Sequence, residues 1–384
     1  MTDSANRSLV VGISSNVVDP GLRGNQLDGI GVYTQALLRS LESIGVRACR
    51  VGAPIVSWRG IRRPTQADIR LPVSAEASIA WSSVSGKESP LWRAVERSVD
   101  IYHATDQRIP RLRRLPVVAT IYDAIPLMHP GFASARLRAL KNWLMRASAR
   151  NADIVIAISQ AAADEIEAHY RIPRERIRVV HLGVAKEWFQ DAHTARGGDP
   201  PRLHHVRPCY FLFVGTLQPR KNVKMLLQAY DRLDPTIRAE HQLVIAGRYG
   251  WGVEELRREL ELRRADTHVL WLEYVDQNAL RQLYREAAAF VFPSLAEGFG
   301  LPVLEALASG IPVVASDLLA VREAAGDHAL FTSPDDPDAL ADAMRRALTV
   351  ERSAPADTAR RDWARRFDWQ TCARRTYAVY CELV

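Results

Sequence analysis

The sequence predicts an α/β protein built from two doubly wound domains with parallel sheets. Three observations predict it. Short apolar runs rich in Val and Ile recur along the chain, stretches of helical period separate most of them, and the series occurs twice, about 200 residues apart. At 384 residues the chain also exceeds what one typical core organises.

In order along the first half, strands are expected within 8–16, 46–53, 99–105, 116–123, 152–159 and 177–183. Continuous apolar runs of this kind are buried on both faces of a parallel sheet. Two stretches interrupt the series. Residues 53–90 are too long for an ordinary connection and read as a functional or mobile loop. Residues 134–150 read as an amphipathic helix, with five basic residues beside Leu137, Leu140, Trp143 and Leu144. The Gly-Gly and Pro-Pro pairs of 191–208 read as the join between domains. Strands follow within 210–215, 243–247, 268–275, 288–294, 311–316 and 328–332, with helices such as "NVKMLLQAYDRL" between them. The arginines interleaved with aromatics in 360–377 leave nucleic-acid binding open. Ligands of doubly wound sheets bind outside the carboxyl ends of the strands, so two such domains facing each other predict a cleft.

Composition narrows the class. Four scattered cysteines without CxxC spacing argue against a zinc site or a disulfide framework and fit a reducing cytosol. The polar start with its short apolar run does not read as a signal peptide, and no apolar window reaches bilayer length. A soluble, cytoplasmic protein is expected. Residues 1–185 carry 25 Lys and Arg against 16 Asp and Glu, whereas 186–384 carry 26 against 28. That asymmetry points to an anionic partner for the first half, with nucleic acid, an anionic membrane face and a phosphorylated lipid all open.

The chemistry concentrates in "FPSLAEGFGLPVLEALASG", 292–310. Glu297 falls in the loop after a strand, and Pro302 suits the first turn of a helix that Gly310 closes. Gly298 and Gly300 allow close backbone approach, so the amides of Phe299, Gly300 and Leu301 can face an anion at a helix N-terminus. Glu305 comes one turn into that helix. Two acids around an anion cradle suit a sugar diphosphate. The literal DxD in "DDPD" (335–338) starts an amphipathic helix, where Asp caps the backbone and needs no metal.

"EGFGLPVLE" is similar to the E-x7-E signature of retaining glycosyltransferases of the GT-B fold, family 4 in particular. "FVGTLQPRKNVKMLLQAY", "LVIAGRYGWG", "PVVASDLLAVREAAGDHALF" and "DGIGVYTQALLRSL" agree in order, so the resemblance covers nearly the whole chain. The subgroup it resembles is the bacterial GDP-mannose-dependent mannosyltransferases of surface-polysaccharide assembly. The resemblance implies a Rossmann-like acceptor-binding domain (1–190), a nucleotide-sugar-binding domain (191–365) and a final helix (366–384) returning to the first. It implies that Glu297 lies near the donor sugar and Glu305 on the nucleotide ribose, with Lys221 and Arg220 on the diphosphate, whose charge grows as the glycosidic bond breaks. Gly29 and Gly31 would approach the phosphates, and Gly215, Gly247, Arg248, Tyr274 and Val275 would line the nucleotide. Two positions depart from the pattern. Tyr122, followed by Asp123, stands where many relatives have a histidine near the reacting sugar, and Thr216 stands where many have an arginine.

The implied activity is transfer of a hexose, mannose from GDP-mannose, to a glycan or lipid-linked saccharide at the inner membrane face. No metal, no cofactor and no nucleic acid take part in that expectation. A UDP-sugar-dependent transferase of the same fold and a non-catalytic nucleotide-sugar binder are the alternatives.

Overall fold

The computed structural model describes residues 9–19, 27–56, 62–63, 65–72, 75–85, 87–129, 138–189, 205–263, 267–349 and 354–384. The chain divides into two units, one of residues 1–183 with 369–384, the other Val184–Asp368. The segment 191–208, expected as the join, lies outside the described residues up to 204.

The first unit holds a seven-stranded sheet of β1 (Val10–Ser14), β2 (Arg47–Gly52), β5 (Ile69–Arg70), β6 (Ile101–Ala104), β7 (Val117–Ile121), β8 (Ile154–Ala157) and β9 (Ile177–Val179). Its order is β5-β2-β1-β6-β7-β8-β9, with every pairing parallel. The stretch 53–90, expected to be a loop, contributes four elements instead. It forms the antiparallel pair β3 (Ile55–Val56) and β4 (Arg62–Arg63), the edge strand β5, and the helix Ala75–Ser85. Two-residue strands are too short to leave a periodic signal, which is why the sequence hides them.

A hydrogen-bonded chain crosses this unit's interior. The His103 ring lies 2.7 Å from the Tyr380 hydroxyl through Nδ1 and 2.9 Å from Thr120 Oγ1 through Nε2. Thr120 also meets the Tyr33 hydroxyl at 2.9 Å. Burial pushes the His103 pKa down to about 3, so the imidazole is neutral and both ring nitrogens are used by partners. Tyr380 belongs to the helix Trp369–Cys381, which packs on the helix Gly29–Ser43. Tyr380→Phe removes one partner from a buried ring and is expected to cost about 1–3 kcal/mol. A lower urea midpoint with an unchanged m-value would record it.

The second unit holds β10 (Phe211–Val214), β11 (Leu243–Ala246), β12 (Val269–Leu272), β13 (Ala289–Phe292), β14 (Val313–Ser316) and β15 (Leu330–Thr332). They are parallel in the order β12-β11-β10-β13-β14-β15. Alternation along each strand sends successive residues to opposite faces, and both faces are covered. Phe211, Phe213, Leu243 and Ile245 join one core cluster, while Leu212, Val244, Phe290 and Phe292 join another. Strand order reverses between β10 and β13, and ligands bind doubly wound sheets at such a reversal. Among the described residues, no helix is long and apolar enough to cross a membrane.

Candidate active site

The reversal between β10 and β13 places two loops side by side. After β10 the chain turns through a short 3-10 helix, Pro219–Lys221, and enters the helix Val223–Asp231 from Asn222 in the left-handed region (φ 57°). After β13 it runs through Pro293–Ala296 to Glu297. The two are strapped together, because Leu295 N donates to the Arg220 carbonyl (2.7 Å) and Arg220 Nη1 donates to the Ala296 carbonyl (3.2 Å).

This juxtaposition brings three charged residues to one atom. Lys221 Nζ lies 2.6 Å and Arg220 Nη1 3.0 Å from the same Glu297 oxygen, Oε1. The Lys221 and Glu297 side chains are only 8% and 10% exposed, so the pair is largely desolvated. Lys221 Nζ also stands 4.7 Å above the Phe292 ring. Burial raises the Glu297 pKa, but Lys221 and then Arg220 outweigh it and hold the carboxyl below its ordinary value. The cluster is therefore one anion between two cations. It carries a surplus positive charge at a strand-end crevice, which suits a diphosphate.

Glu305 shows the opposite electrostatics. It sits in the helix Leu301–Ala308, which starts at Gly300 (φ 123°) with Pro302 in its first turn. The residue is partly buried, and the Tyr284 hydroxyl donates to Oε2 at 3.3 Å. Loss of hydration pushes its pKa up to about 8, only partly offset by Tyr284. Tyr284 is fully buried, held edge-on by Trp188 and tilted against Phe290. Sequence reasoning missed Tyr284. Its helix Gln277–Glu286 is remote from Glu305 in the chain, and only the sheet order brings them together.

The remaining expected donor residues of this unit lie at neighbouring strand ends. Gly215 follows β10, and Gly247 with Arg248 follows β11. A Cβ on Gly247 would stand 1.9 Å from the Gly215 carbonyl oxygen, so the crossing of these strand ends requires glycine there. Tyr274 and Val275 follow β12. Tyr274 is 56% exposed, with the Arg248 guanidinium 5.0 Å from its ring centre, while Val275 packs on the core. Phe299 is buried against Phe367. The DxD stretch behaves as a cap, since Asp336 Oδ1 accepts from the amides of Asp338 and Ala339.

In the first unit, Gly29 and Gly31 open the helix Gly29–Ser43, and the capping Asp28 accepts from Gly31 N at 2.9 Å. A Cβ on Gly31 would crowd Leu27 and the Val17 carbonyl, whereas one on Gly29 would meet nothing within 4 Å. Tyr122 and Asp123 follow β7. The Tyr122 side chain is buried and its hydroxyl donates to the Thr105 carbonyl at 2.6 Å. The proton of that hydroxyl is thus engaged by the neighbouring strand end. Asp123 remains partly exposed and accepts from Ile125 N.

Comparison with known proteins agrees with this geometry. The model for Glycosyl transferases group 1 matches residues 201–365, and that for Glycosyltransferase Family 4 matches 27–188. O-antigen chain mannosyltransferase B of Escherichia coli is 31% identical over 73% of this chain and 74% of its own. O-antigen chain mannosyltransferase RfbU of Salmonella typhimurium is 27% identical, over 69% of each. Among solved structures, sucrose-phosphate synthase from Thermosynechococcus elongatus superposes with a TM-score of 0.74 at 19% identity, covering 98% of this chain and 99% of that one. Anabaena HepE in complex with UDP-glucose gives 0.69 at 16%, covering 98% and 100%. Those structural likenesses carry the fold, which is GT-B. With both family models matched in order and a mannosyltransferase 31% identical over 73% of this chain, the chain belongs to the glycosyltransferases, group 1 in its second half and family 4 in its first.

Proposed function

We propose that the protein transfers mannose from GDP-mannose, with retention of anomeric configuration, to a hydroxyl of a growing surface polysaccharide. The observation that carries this reading is the convergence of Lys221 and Arg220 on Glu297 at the β10–β13 reversal. An arriving diphosphate competes with Glu297 for the two cations and frees its carboxylate to accept from the hydroxyls of the donor sugar. As the glycosidic bond breaks, negative charge builds on the leaving nucleoside diphosphate, and fixed cations in a dry site stabilise it without a metal. With its carboxylate engaged by the donor sugar's hydroxyls, Glu297 is a poor nucleophile, which favours attack by the acceptor on the face that the leaving nucleoside diphosphate departs from. Glu305 accepts from the ribose hydroxyls, and the relatives named as mannosyltransferases support the choice of sugar. A lipid-linked saccharide, presented to the basic first unit at the inner membrane face, is the acceptor this reading favours.

A second reading keeps the fold and changes the donor, because HepE was solved with UDP-glucose. Thermal unfolding separates the two. GDP at one hundred times its Kd should stabilise by about 2.7 kcal/mol, roughly 5 to 10 °C for a unit of this size, equally with Mg²⁺ or chelator. A larger shift with UDP ligands overturns the donor. No shift with either overturns the transferase reading.

A further inference from the structure

We infer that the first unit carries a phosphate-recognising site around Trp143 that docks the protein on an anionic phospholipid surface. The inference rests on the membrane-facing part of the reading above and is independent of the donor. A hollow of about 500 Å³ is lined by Arg111, Arg113 and Arg150 together with Trp143 and Ser82. A second, of about 230 Å³, shares Trp143 and Arg150 and adds Arg146 and Arg171. Five arginines and one tryptophan thus line the two hollows, and among the described residues no Asp or Glu lines either.

The local sequence explains the imbalance. Residues 108–150 contain nine basic residues and a single acid, Asp123. Arg146 donates to the His169 carbonyl, which fixes its guanidinium and leaves its charge uncompensated by any carboxylate partner among the described residues. Arg113, Arg150 and Arg171 are exposed. Arg111, Arg113, Arg150 and Arg171 form no ion pair among the described residues, so their positive charge is available to an anion. Surface cations that serve only solubility are usually interleaved with acids, and here they are not.

The apolar half of the surface is also present. Trp143 and Leu140 lie on the helix Arg138–Ala149 and are 48% and 49% exposed. That helix packs against the helix Ala75–Ser85, whose Trp81 is 60% exposed. Large exposed apolar groups on two contacting helices, bordered by arginines, match the interfacial layer of a bilayer. Indole rings settle at headgroup depth, and guanidinium groups bind phosphate through two hydrogen bonds at once. A soluble anion would satisfy the arginines but leave Trp81, Leu140 and Trp143 in water, so the lipid is the occupant both halves fit.

Sedimentation of the full chain with vesicles tests this. At about 0.1 M salt, binding to phosphatidylglycerol–phosphatidylcholine vesicles should exceed binding to phosphatidylcholine alone, and should weaken as salt rises. Arg113→Glu/Arg150→Glu, at two exposed positions, should lower binding about tenfold or more. Trp143→Ala should lower it while leaving the salt dependence intact. Stabilisation by GDP, read on the same samples, should be unchanged in both variants and shows that they are folded. Equal binding to neutral vesicles overturns the inference, as does a double variant that binds like the parent. So does protection of the site by inorganic phosphate without any vesicle binding, which would mark a small-anion pocket instead. Loss of the GDP response in the parent protein strikes the transferase reading and leaves this one standing.

Discussion

Lys221→Ala is expected to lower kcat for sugar transfer by about 10²–10³, the usual cost of removing one preorganised group that stabilises developing negative charge. KM for the donor should rise less, because Arg220 remains to hold the ground-state diphosphate. Geometry sets this ranking. Lys221 is almost wholly desolvated at 2.6 Å from Glu297, while Arg220 is 24% exposed and shares its guanidinium with the Ala296 carbonyl. Folding should survive, since Arg220 still neutralises Glu297 and no buried carboxylate is left without a cation. Lys221→Arg should rescue little, because the larger planar head must fit the slot above Phe292. Single-turnover transfer rates and an unfolding curve for each variant check this. An unchanged kcat would show that the charge on the leaving group is stabilised elsewhere.

Glu305→Gln should work in the opposite direction on stability. In the folded protein burial holds this carboxyl up to about 8, whereas an unfolded chain titrates it near the ordinary 4.5. Between those values the native state keeps a proton that the unfolded state releases, so stability falls as pH rises from about 4.5 to 8. The full shift bounds the loss at several kcal/mol; a partly buried carboxyl keeps some hydration, and about 2 kcal/mol is expected. Glutamine carries no such penalty and can still accept from Tyr284. The variant should therefore unfold about 4 to 8 °C above the parent at pH 8 and no higher at pH 4. Its response to GDP should be weaker at both. Calorimetry across this range decides the matter, and parallel curves for the two proteins would mean that Glu305 titrates in the fold as it does in the unfolded chain. The trade is characteristic of binding sites, where a group suited to a ligand can cost stability.

The strands of both large sheets, other than β5, were legible in the sequence because parallel strands buried on both faces are continuous runs of Val, Ile and Phe, as in "YFLFVG" and "ADIVIAIS". The edge strand and the antiparallel pair within 53–90 were not, their strands being two residues long and held by neighbours rather than by their own pattern. Motif spacing placed Glu297 in the loop after a strand and Glu305 one turn into the helix that follows, where the structure has them. It could not say that both cations meet one carboxylate oxygen, nor that Tyr284 reaches Glu305, since these contacts depend on strand order, which local spacing does not encode. Tyr122 shows the same limit. Its position beside Asp123 was readable, but its hydroxyl is spent on Thr105, a residue of the neighbouring strand end.

The membership of the last helix bears on how the chain is made. The first unit closes over Trp369–Val384, so its interior is unfinished until that segment has been synthesised. His103 and Tyr380 are separated by 277 residues. At about 5 to 20 residues per second, the imidazole waits roughly 14 to 55 s for its partner to be synthesised. The second unit is under no such delay. Val184 N donates to the Phe367 carbonyl at 2.8 Å, so its two ends meet and its fold is complete once residue 368 has cleared the ribosome. The nascent chain thus can complete its second unit first and leaves the unit with the Trp143 arginine cluster open until Trp369–Val384 emerges, the interval in which a chaperone that shields exposed apolar strands would be most needed.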